Sequence, residues 1–286
     1  MYFKSLIACH LCEISQLTPI YILIVAKIPI ICFEFAHLRK SGSKDDTDHH
    51  WDVLIFTQQW PTTSCEDWKE KSPSHKCTMP SVPNSFSIHG VWPTKYGTLG
   101  PFFCNRSAHF DPEAVKPIET ELTDVWTNIE YGTSTYSLWA HEWTKHGTCA
   151  AEVLENFNTE LKYFTRGLEF YRTYNLTNIL SEADIVPSVN KGYDVVDIVN
   201  AIRVHLGVNP VVECRKEKGI SSLFEIRICF TKELKLVDCD GVVHGTSDNV
   251  LTNCDRTQKV LFLPYSTTSG LVQWYKLITW LQWFTL

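Results

Sequence analysis

Two histidines, a glutamate and a lysine lie close together in the segment of residues 141–146. In an α-helix of roughly 100° per residue, His141, Glu142, Lys145 and His146 fall at roughly 0°, 100°, 40° and 140°, on one face. This set suits acid–base chemistry on an anion. Imidazoles can move protons, an ammonium attracts negative charge, and a carboxylate can orient an imidazole.

Two other interpretations of this segment are a solvated helix face and a zinc-binding helix. Two histidines with alternating charged partners are an unusual way to build a solvated face. The zinc-protease motif needs its second histidine where Lys145 stands. In an α-helix His141 and His146 diverge by roughly 140°, so we exclude a shared metal ion and expect no metal and no cofactor. Gly147 is expected to end the helix, and Cys149 to pin it to another segment.

A second histidine-containing segment, residues 86–93, alternates apolar and polar residues. The alternation predicts a strand with Ser87 and His89 on one face, ended by Trp92 and Pro93. Alone, His89 would more often be structural. Beside the helix segment it supplies a second proton carrier.

Other patterns predict the elements that position these two segments. The run Val53–Gln58 is expected to be a central strand. Residues 65–83 read as a loop, and residues 112–132 as a helix with Asp111 as its N-cap. Further helices are predicted by the apolar stripe of Phe157, Leu161, Phe164, Leu168 and Tyr171 and by residues 193–206, which Gly207 ends. Strands are predicted at residues 211–212, 224–230 and 236–237. Without regular βαβ alternation, these elements predict a single α+β domain with a mainly antiparallel sheet flanked by helices.

The two histidine segments resemble the two active-site segments of the ribonuclease T2 family, in particular of its animal acid ribonucleases. The first reads Ser-Ile-His-Gly-Val-Trp-Pro and the second His-Glu-Trp-Thr-Lys-His-Gly-Thr-Cys. The similarity extends over residues 51–265. It includes Gln58-x-Trp60-Pro61, residues 104–107 and the spacing of the cysteines.

The resemblance implies roles for five side chains. His146 is expected to be the base and His89 the acid of the first step, although the two could exchange roles. Lys145 is expected to stabilise transition-state charge, Glu142 to polarise His146 or a phosphoryl oxygen, and His141 to hold phosphate.

The resemblance also implies contacts to substrate from Gln58 and Trp92. Trp92 either stacks on a base or lies in the core, and the sequence leaves both alternatives open. Many relatives carry an acidic residue after Trp-Pro where this chain has Thr94, so the base preference stays open.

The expected activity is that of a metal-independent endoribonuclease of low base specificity acting on single-stranded RNA. The neighbouring 2′-hydroxyl would attack the phosphate, giving a 2′,3′-cyclic phosphate and then a 3′-phosphate. DNA lacks this nucleophile and is expected to be inert. No obligatory protein partner and a monomeric state are expected. The alternatives are a secreted glycoprotein effector or binding protein on a ribonuclease fold, and a membrane-tethered protein. The intact set of histidines argues against the former.

Composition and the terminal segments bear on the compartment. The net charge of −6 does not favour binding of nucleic acid by bulk electrostatics, but protonation of all 11 histidines would change it to +5. Residues 1–36 read as a signal peptide, with a retained signal anchor as the alternative, and residues 37–50 as a polar arm. Residues 51–265 are the expected catalytic domain. The apolar tail of residues 266–286 has no assigned role.

Cysteine use supports export to an oxidising compartment. Of 11 cysteines, three lie in the leader, and the remaining eight form no Cys-x-x-Cys pair. The resemblance implies the pairs Cys65–Cys77, Cys104–Cys149, Cys214–Cys254 and Cys229–Cys239. Asn105 and Asn175 are glycosylation acceptors expected in surface loops. We expect a secreted or lysosomal glycoprotein.

Overall fold

The computed structural model describes residues 49–242 and 250–265, which lie within the compact unit Asp45–Leu286. The predicted leader, most of the predicted polar arm and the C-terminal tail lie outside the described residues. Among the residues that are described, no helix is both long enough and apolar enough to cross a membrane.

The strands are β1 Val53–Gln59, β2 Lys76–Cys77, β3 Ser87–Thr94, β4 Glu130–Tyr131, β5 Gly192–Tyr193, β6 Val211–Glu217, β7 Ile220–Phe230, β8 Leu236–Val237, β9 Leu251–Thr252 and β10 Val260–Leu261. The helices are α1 Pro61–Lys71, α2 Pro112–Val115, α3 Glu119–Val125, α4 Ser137–Glu142, α5 Thr148–Val153, α6 Glu160–Thr173, α7 Leu176–Glu182 and α8 Val195–Leu206. Short 3₁₀ turns span Lys116–Ile118 and Glu155–Phe157, and a π-helical turn spans Trp143–Gly147.

One mixed sheet forms the centre of the described fold, and β1 lies between β3 and β7. β1 pairs antiparallel with both neighbours, and β7 also pairs antiparallel with β6 and β8. The pairs β7–β10 and β6–β9 are parallel, which the sequence did not indicate. The prediction of an α+β domain with a disulfide-stapled, mainly antiparallel sheet is confirmed.

Every residue of the central strand β1 is buried. Since successive side chains point to opposite sides of a strand, β1 is covered on both faces. Leu54 and Phe56 belong to the large core cluster to which the helices contribute. Val53 and Ile55 belong to a smaller cluster against which Trp92 packs. The prediction of a central strand at Val53–Gln58 is therefore confirmed.

One loop prediction and one helix prediction were wrong in extent. The expected loop of residues 65–83 begins inside α1, where Pro61 stands at the first helical position. The expected helix of residues 112–132 is broken at Pro117, which lacks an N–H to donate, and its last turn ends at Val125. Trp126 then packs in the core, and its indole N–H donates to the backbone oxygen of His89 at 2.8 Å.

The two later helices are confirmed as α6 and α8. On α6, Phe164 and Leu168 are buried as predicted. Leu161, which the sequence placed in the same apolar stripe, is exposed instead. Gly207 ends α8 in the left-handed region, at a φ of 75°. The sequence analysis missed α7, which Asn175 caps by accepting from the backbone N–H of Asn178.

The structure contains the four disulfides that the resemblance implied: Cys65–Cys77, Cys104–Cys149, Cys214–Cys254 and Cys229–Cys239. Asn105 is exposed in a turn, whereas Asn175 stands at the start of a helix instead of in a loop. Glycosylation at both stays a prediction.

Candidate active site

The helical segment that carries the predicted site is not a regular α-helix. It runs as α4, then the π-helical turn Trp143–Gly147, then α5. A π turn aligns residues five apart, so His141 and His146 come onto one side, with ring centroids 6.2 Å apart. The divergence of roughly 140° that we expected from α-helical spacing is therefore wrong.

The π turn also changes the argument about metals. Ligand atoms of His141, Glu142 and His146 all lie within 4.8 Å of one another, which is close enough for these residues to hold a metal ion. The angular exclusion of a shared metal therefore fails. The expected absence of a metal stays a prediction.

Gly147 does not end the helix, contrary to expectation. Its φ is −59°, and the chain continues directly into α5. A Cβ at this position would overlap the indole ring of Trp143, which is buried beside it. The glycine thus provides space for the tryptophan, and Cys149 lies in α5, where it ties this helix to Cys104.

His146 is buried and neutral. Its side chain is 6% exposed, and its Nδ1 has no hydrogen-bond partner among the described residues. Burial lowers the pKa of His146 to about 2, and the positive charges of Lys145, His141 and His89 contribute. The imidazole is therefore neutral, as a general base must be before it takes up a proton, but a pKa this low makes it a weak base in the absence of substrate.

His89 projects from an irregular position of β3. Thr57 of β1 pairs with Gly90 and Gln58 pairs with Ile88, so His89 is the extra residue of a β-bulge. The bulge allows His89 and Trp92, which lie three apart, to face the same pocket, with ring centroids 5.0 Å apart.

The pKa of His89 is shifted in the opposite direction to that of His146. Its Nδ1 lies 2.5 Å from Oε1 of Glu225, a carboxylate of β7 that is almost completely buried. Burial alone lowers the pKa of His89, but the charge of Glu225 and its hydrogen bond outweigh this effect. The pKa of His89 is therefore raised above its ordinary value, which suits a proton donor.

Glu142 is buried and accepts a hydrogen bond of 2.8 Å from the indole N–H of Trp92. Burial raises the pKa of Glu142 to about 7, although His89, Trp92 and Lys145 favour its charged form. A Cβ on Gly90 would overlap both Glu142 and the indole nitrogen of Trp92, so a glycine at this position leaves the space that their hydrogen bond needs. Glu142 makes no hydrogen bond to Nδ1 of His146, so the expected polarisation of His146 by Glu142 stays a prediction.

Lys145 and His141 lie at the open side of the pocket. The Nζ of Lys145 is 4.8 Å from the centroid of the Phe102 ring. The backbone N–H of Phe103 donates to the carbonyl oxygen of Lys145 at 2.9 Å, so the loop before Cys104 is held against the helix. His141 is exposed, and burial and the charge of Lys145 lower its pKa.

Trp92 is partly buried and combines the two alternatives that the sequence left open. Its ring lies beside both histidines, with centroids 5.0 Å from His89 and 5.5 Å from His146. It also packs on the smaller core cluster and lines the pocket. Trp92 therefore packs beside both imidazoles, and the exposed part of its ring can contact a ligand.

Gln58 does not contact the pocket, so its prediction as a substrate-binding residue is wrong. Its side chain is completely buried and donates to the carbonyl oxygen of Tyr174 at 2.7 Å. The neighbouring Gln59 points to the other face of β1, because side chains alternate along a strand. Gln59 lines a depression of about 430 Å³ that also includes His89 and His141.

The pocket itself has a volume of about 240 Å³. The structure brings together in its wall all the predicted site residues except Gln58: His89, Trp92, His141, Glu142, Lys145 and His146. Sequence reasoning missed Glu225, Arg227 and Phe102. Alternation along β7 puts Glu225 and Arg227 on the face opposite its apolar residues. The sequence does not indicate which strands lie beside β7, and therefore does not indicate which side chains these two residues contact.

Two imidazoles, a carboxyl group and an ammonium in one pocket are the groups that acid–base chemistry on an anion requires. The chain belongs to the ribonuclease T2 family, whose model matches residues 51–239. The resemblance given by the two histidine segments is thereby confirmed.

Individual relatives match over most of the chain. It is 36% identical over 218 residues to Ribonuclease Oy of Magallana gigas, covering 75% of this chain and 97% of that protein. It is 34% identical to Ribonuclease T2 of Homo sapiens, covering 73% and 77%. Among solved structures, human RNase T2 matches with a TM-score of 0.61 and 31% identity over 75% of this chain and 100% of that one. RNase NT in complex with 5′-AMP matches with a TM-score of 0.62 and 29% identity over 76% and 100%.

Proposed function

We propose that this protein is an endoribonuclease that cleaves single-stranded RNA by attack of the 2′-hydroxyl on the adjacent phosphate. Family membership supports an RNA-cleaving enzyme, and a similar structure holds a nucleoside monophosphate. The observation that carries the proposal is that one pocket holds two imidazoles in different surroundings: His89 faces the carboxylate of Glu225, which helps to raise its pKa, and His146 is buried beside Trp92, where its pKa is lowered.

In the first step, neutral His146 removes the proton of the 2′-hydroxyl. The 2′-oxygen forms a bond to phosphorus while the bond from phosphorus to the 5′-oxygen breaks, and His89 gives its proton to that leaving oxygen. The products are a 2′,3′-cyclic phosphate and a 5′-hydroxyl. The RNA phosphate is negative and opposes the cationic neighbours that lower the pKa of His146, so bound substrate makes this residue a stronger base.

In the second step the two histidines exchange roles. His89, now neutral, removes a proton from water, and protonated His146 gives its proton to the 2′-oxygen as the cyclic phosphate opens to a 3′-phosphate. Lys145 stabilises negative charge on the phosphorus oxygens, and His141 binds the phosphate. Glu142, with a pKa of about 7, can hydrogen-bond a phosphoryl oxygen in its protonated form at acidic pH.

We further propose low base specificity. The pocket offers the apolar side chains of Trp92, Leu99 and Phe102, together with the hydroxyl groups of Thr94 and Thr98. Aromatic surfaces stack on any base, because every base has a π face. Thr94 carries no charge with which to select one base over another.

Metal independence is part of the proposal. His141, Glu142 and His146 are close enough to bind a metal ion, yet the adjacent ammonium of Lys145 disfavours a cation there, and a protonated Glu142 is a poor ligand. DNA is not a substrate, since it lacks the 2′-hydroxyl. We propose that the protein acts as a monomer without an obligatory partner, in the secreted or lysosomal compartment that four disulfides favour.

The proposal is tested by digesting single-stranded RNA with excess chelator and analysing the ends of the products. We expect full activity, transient 2′,3′-cyclic phosphates, and then 3′-phosphates. A DNA strand of the same sequence is the substrate control, and His146→Ala is the control for contaminating nuclease.

Activity that chelator abolishes and a divalent metal restores would refute metal independence. Cleavage of the DNA strand, or products with 5′-phosphate ends, would refute attack by the 2′-hydroxyl.

A further inference from the structure

The contact between His89 and Glu225 crosses the central strand of the sheet. β1 lies between β3, which carries His89, and β7, which carries Glu225. Gln59 of β1 pairs with Glu225, and Thr57 pairs with Arg227, so these two charged residues share the face of the sheet toward which His89 projects. The bulge at His89 brings its ring to the carboxylate.

The carboxylate of Glu225 is built into the sheet and is not free to swing away. It is 3% exposed, and Arg227 lies beside it, with Nη2 at 3.2 Å from Oε2. The remaining oxygen, Oε1, faces Nδ1 of His89 at 2.5 Å. A carboxylate accepts and does not donate, so the proton of this bond resides on Nδ1.

We propose that Glu225 is a positioning residue for the reaction: it accepts a hydrogen bond from Nδ1–H of His89 and thereby turns Nε2 toward the substrate and favours the protonated form of the ring. The inference rests on the proposed function, because it concerns the acid of that reaction. Glu225 does not itself touch the phosphate in this arrangement. It acts through the orientation and charge of His89.

Several other charged groups surround His89 and must be separated from the effect of Glu225. Around the two pockets that His89 lines they are Asp67 and Lys71 on α1, Glu130 on β4, His141 and Glu142 on α4, Lys145 and His146 in the π turn, and Arg227 on β7. Glu225 differs from all of them, because its carboxylate is the one hydrogen-bonded to the His89 ring. The pKa of Glu225 is lowered: burial would raise it, but the charges and hydrogen bonds of His89 and Arg227 prevail.

The chain offers a matched control in Glu213 of β6. Glu213 pairs with Glu225 across the strands, and its carboxylate lies 3.5 Å from Nη1 of the same Arg227. The hydrogen bonds of the described residues include none between Glu213 and His89. Replacing Glu213 by glutamine therefore removes a negative charge beside Arg227 and leaves the contact to His89 intact.

The test compares pH profiles of RNA cleavage for the wild type, Glu225→Gln, Glu225→Ala and Glu213→Gln. Glutamine can still accept from Nδ1 but carries no charge, so its profile is expected to keep most of its maximum. Its alkaline limb should move to lower pH by about 1 unit or more, because a proton donor loses activity above its pKa. Alanine should lower the maximum as well. Glu213→Gln should leave the limb in place.

Long-range ¹H–¹⁵N spectra of His89 give a readout that does not depend on activity. We expect the wild-type ring protonated on Nδ1 when neutral, and a lower His89 pKa in Glu225→Gln. The inference is overturned by a wild-type ring protonated on Nε2, by a Glu225→Gln profile that superimposes on the wild type, or by an equal shift in Glu213→Gln. An inactive wild type with the expected spectra would instead refute the proposed function alone.

Discussion

At the scale of single residues, the surroundings of two chemically identical side chains shift their pKa values in opposite directions. His146 is buried, and no described residue bonds its Nδ1, whereas His89 faces a buried carboxylate. This difference in pKa between the two histidines does not come from the residue type, which is the same. It comes from the neighbours that the fold supplies to each ring, and the proposed function uses it to distinguish the base from the acid.

We expect His89→Ala and His146→Ala each to reduce turnover by ~10²–10⁴-fold, the usual contribution of a positioned acid or base. The double variant should lose less than the product of the two losses, because the residues act as a unit. Steady-state kinetics on one RNA oligonucleotide measure this. His109→Ala, which removes an exposed imidazole outside the pocket, is the control. Near-normal turnover in both folded single variants would refute the assignment.

The sequence identified the residue types of the site but not all of their neighbours. His89, Glu142, Lys145 and His146 were predicted and lie together in the pocket. Gln58 was predicted wrongly, since a position in a motif does not say which face of a strand it occupies. Glu225 was missed, because its contact depends on the order of strands in the sheet, which local patterns do not encode.

At the scale of elements, the site is built on two irregularities, a β-bulge at His89 and a π turn at Trp143–Gly147. Sequence patterns are read with regular periods of two and 3.6 residues, so neither deviation could be predicted from them. Regular elements away from the site, such as α6 and α8, were predicted well. Local rules thus fail where function requires an unusual geometry.

We expect removal of the Cys104–Cys149 disulfide, by serine at both positions, to cost about 2–5 kcal/mol of unfolding free energy and to reduce turnover well below the melting temperature. The reason is local. This disulfide holds the loop with Phe102 against the helix that carries Lys145 and His146. Thermal unfolding and kinetics at low temperature measure the two effects separately.

The Cys214–Cys254 disulfide is a matched control for this change. Its two cysteines are 40 residues apart in sequence, against 45 for Cys104–Cys149. The two disulfides therefore restrict the entropy of the unfolded chain to a similar extent, and removing either should destabilise the fold by a similar amount. Neither Cys214 nor Cys254 lines the pocket. Its removal should destabilise the fold comparably while turnover at low temperature is kept. Equal loss of turnover in both double variants would contradict a local role for Cys104–Cys149.

At the scale of the whole molecule, pH acts on both charge and stability. Protonation of the 11 histidines changes the formal net charge from −6 to +5, which favours polyanion binding in acid. Buried groups respond differently from this average. His146 stays neutral in the folded state well below the pH at which an unfolded histidine is protonated, so its burial costs stability as the pH falls.

Glu142 has the opposite dependence, and this can be isolated with Glu142→Gln. Its pKa is about 7 in the folded protein against an ordinary 4.5. Below both values the carboxyl is protonated in both states and has no effect. Between them the unfolded chain releases its proton and the folded protein does not, so stability falls as the pH rises. The wild type should therefore lose about 3 kcal/mol relative to Glu142→Gln between about pH 4 and pH 8.

Urea unfolding across this pH range measures the difference between the two proteins, in which the effects of histidines common to both largely cancel. Glu155→Gln is the control, because it removes an exposed carboxylate that lies outside the pocket. A wild-type curve parallel to that of Glu142→Gln would mean that Glu142 ionises as easily in the fold as in the unfolded chain. If the two stability curves diverge steeply above pH 5, the fold loses stability by keeping the carboxyl group of Glu142 beside the indole N–H of Trp92. At acidic pH this carboxyl group is neutral there and can donate a hydrogen bond to a phosphate oxygen.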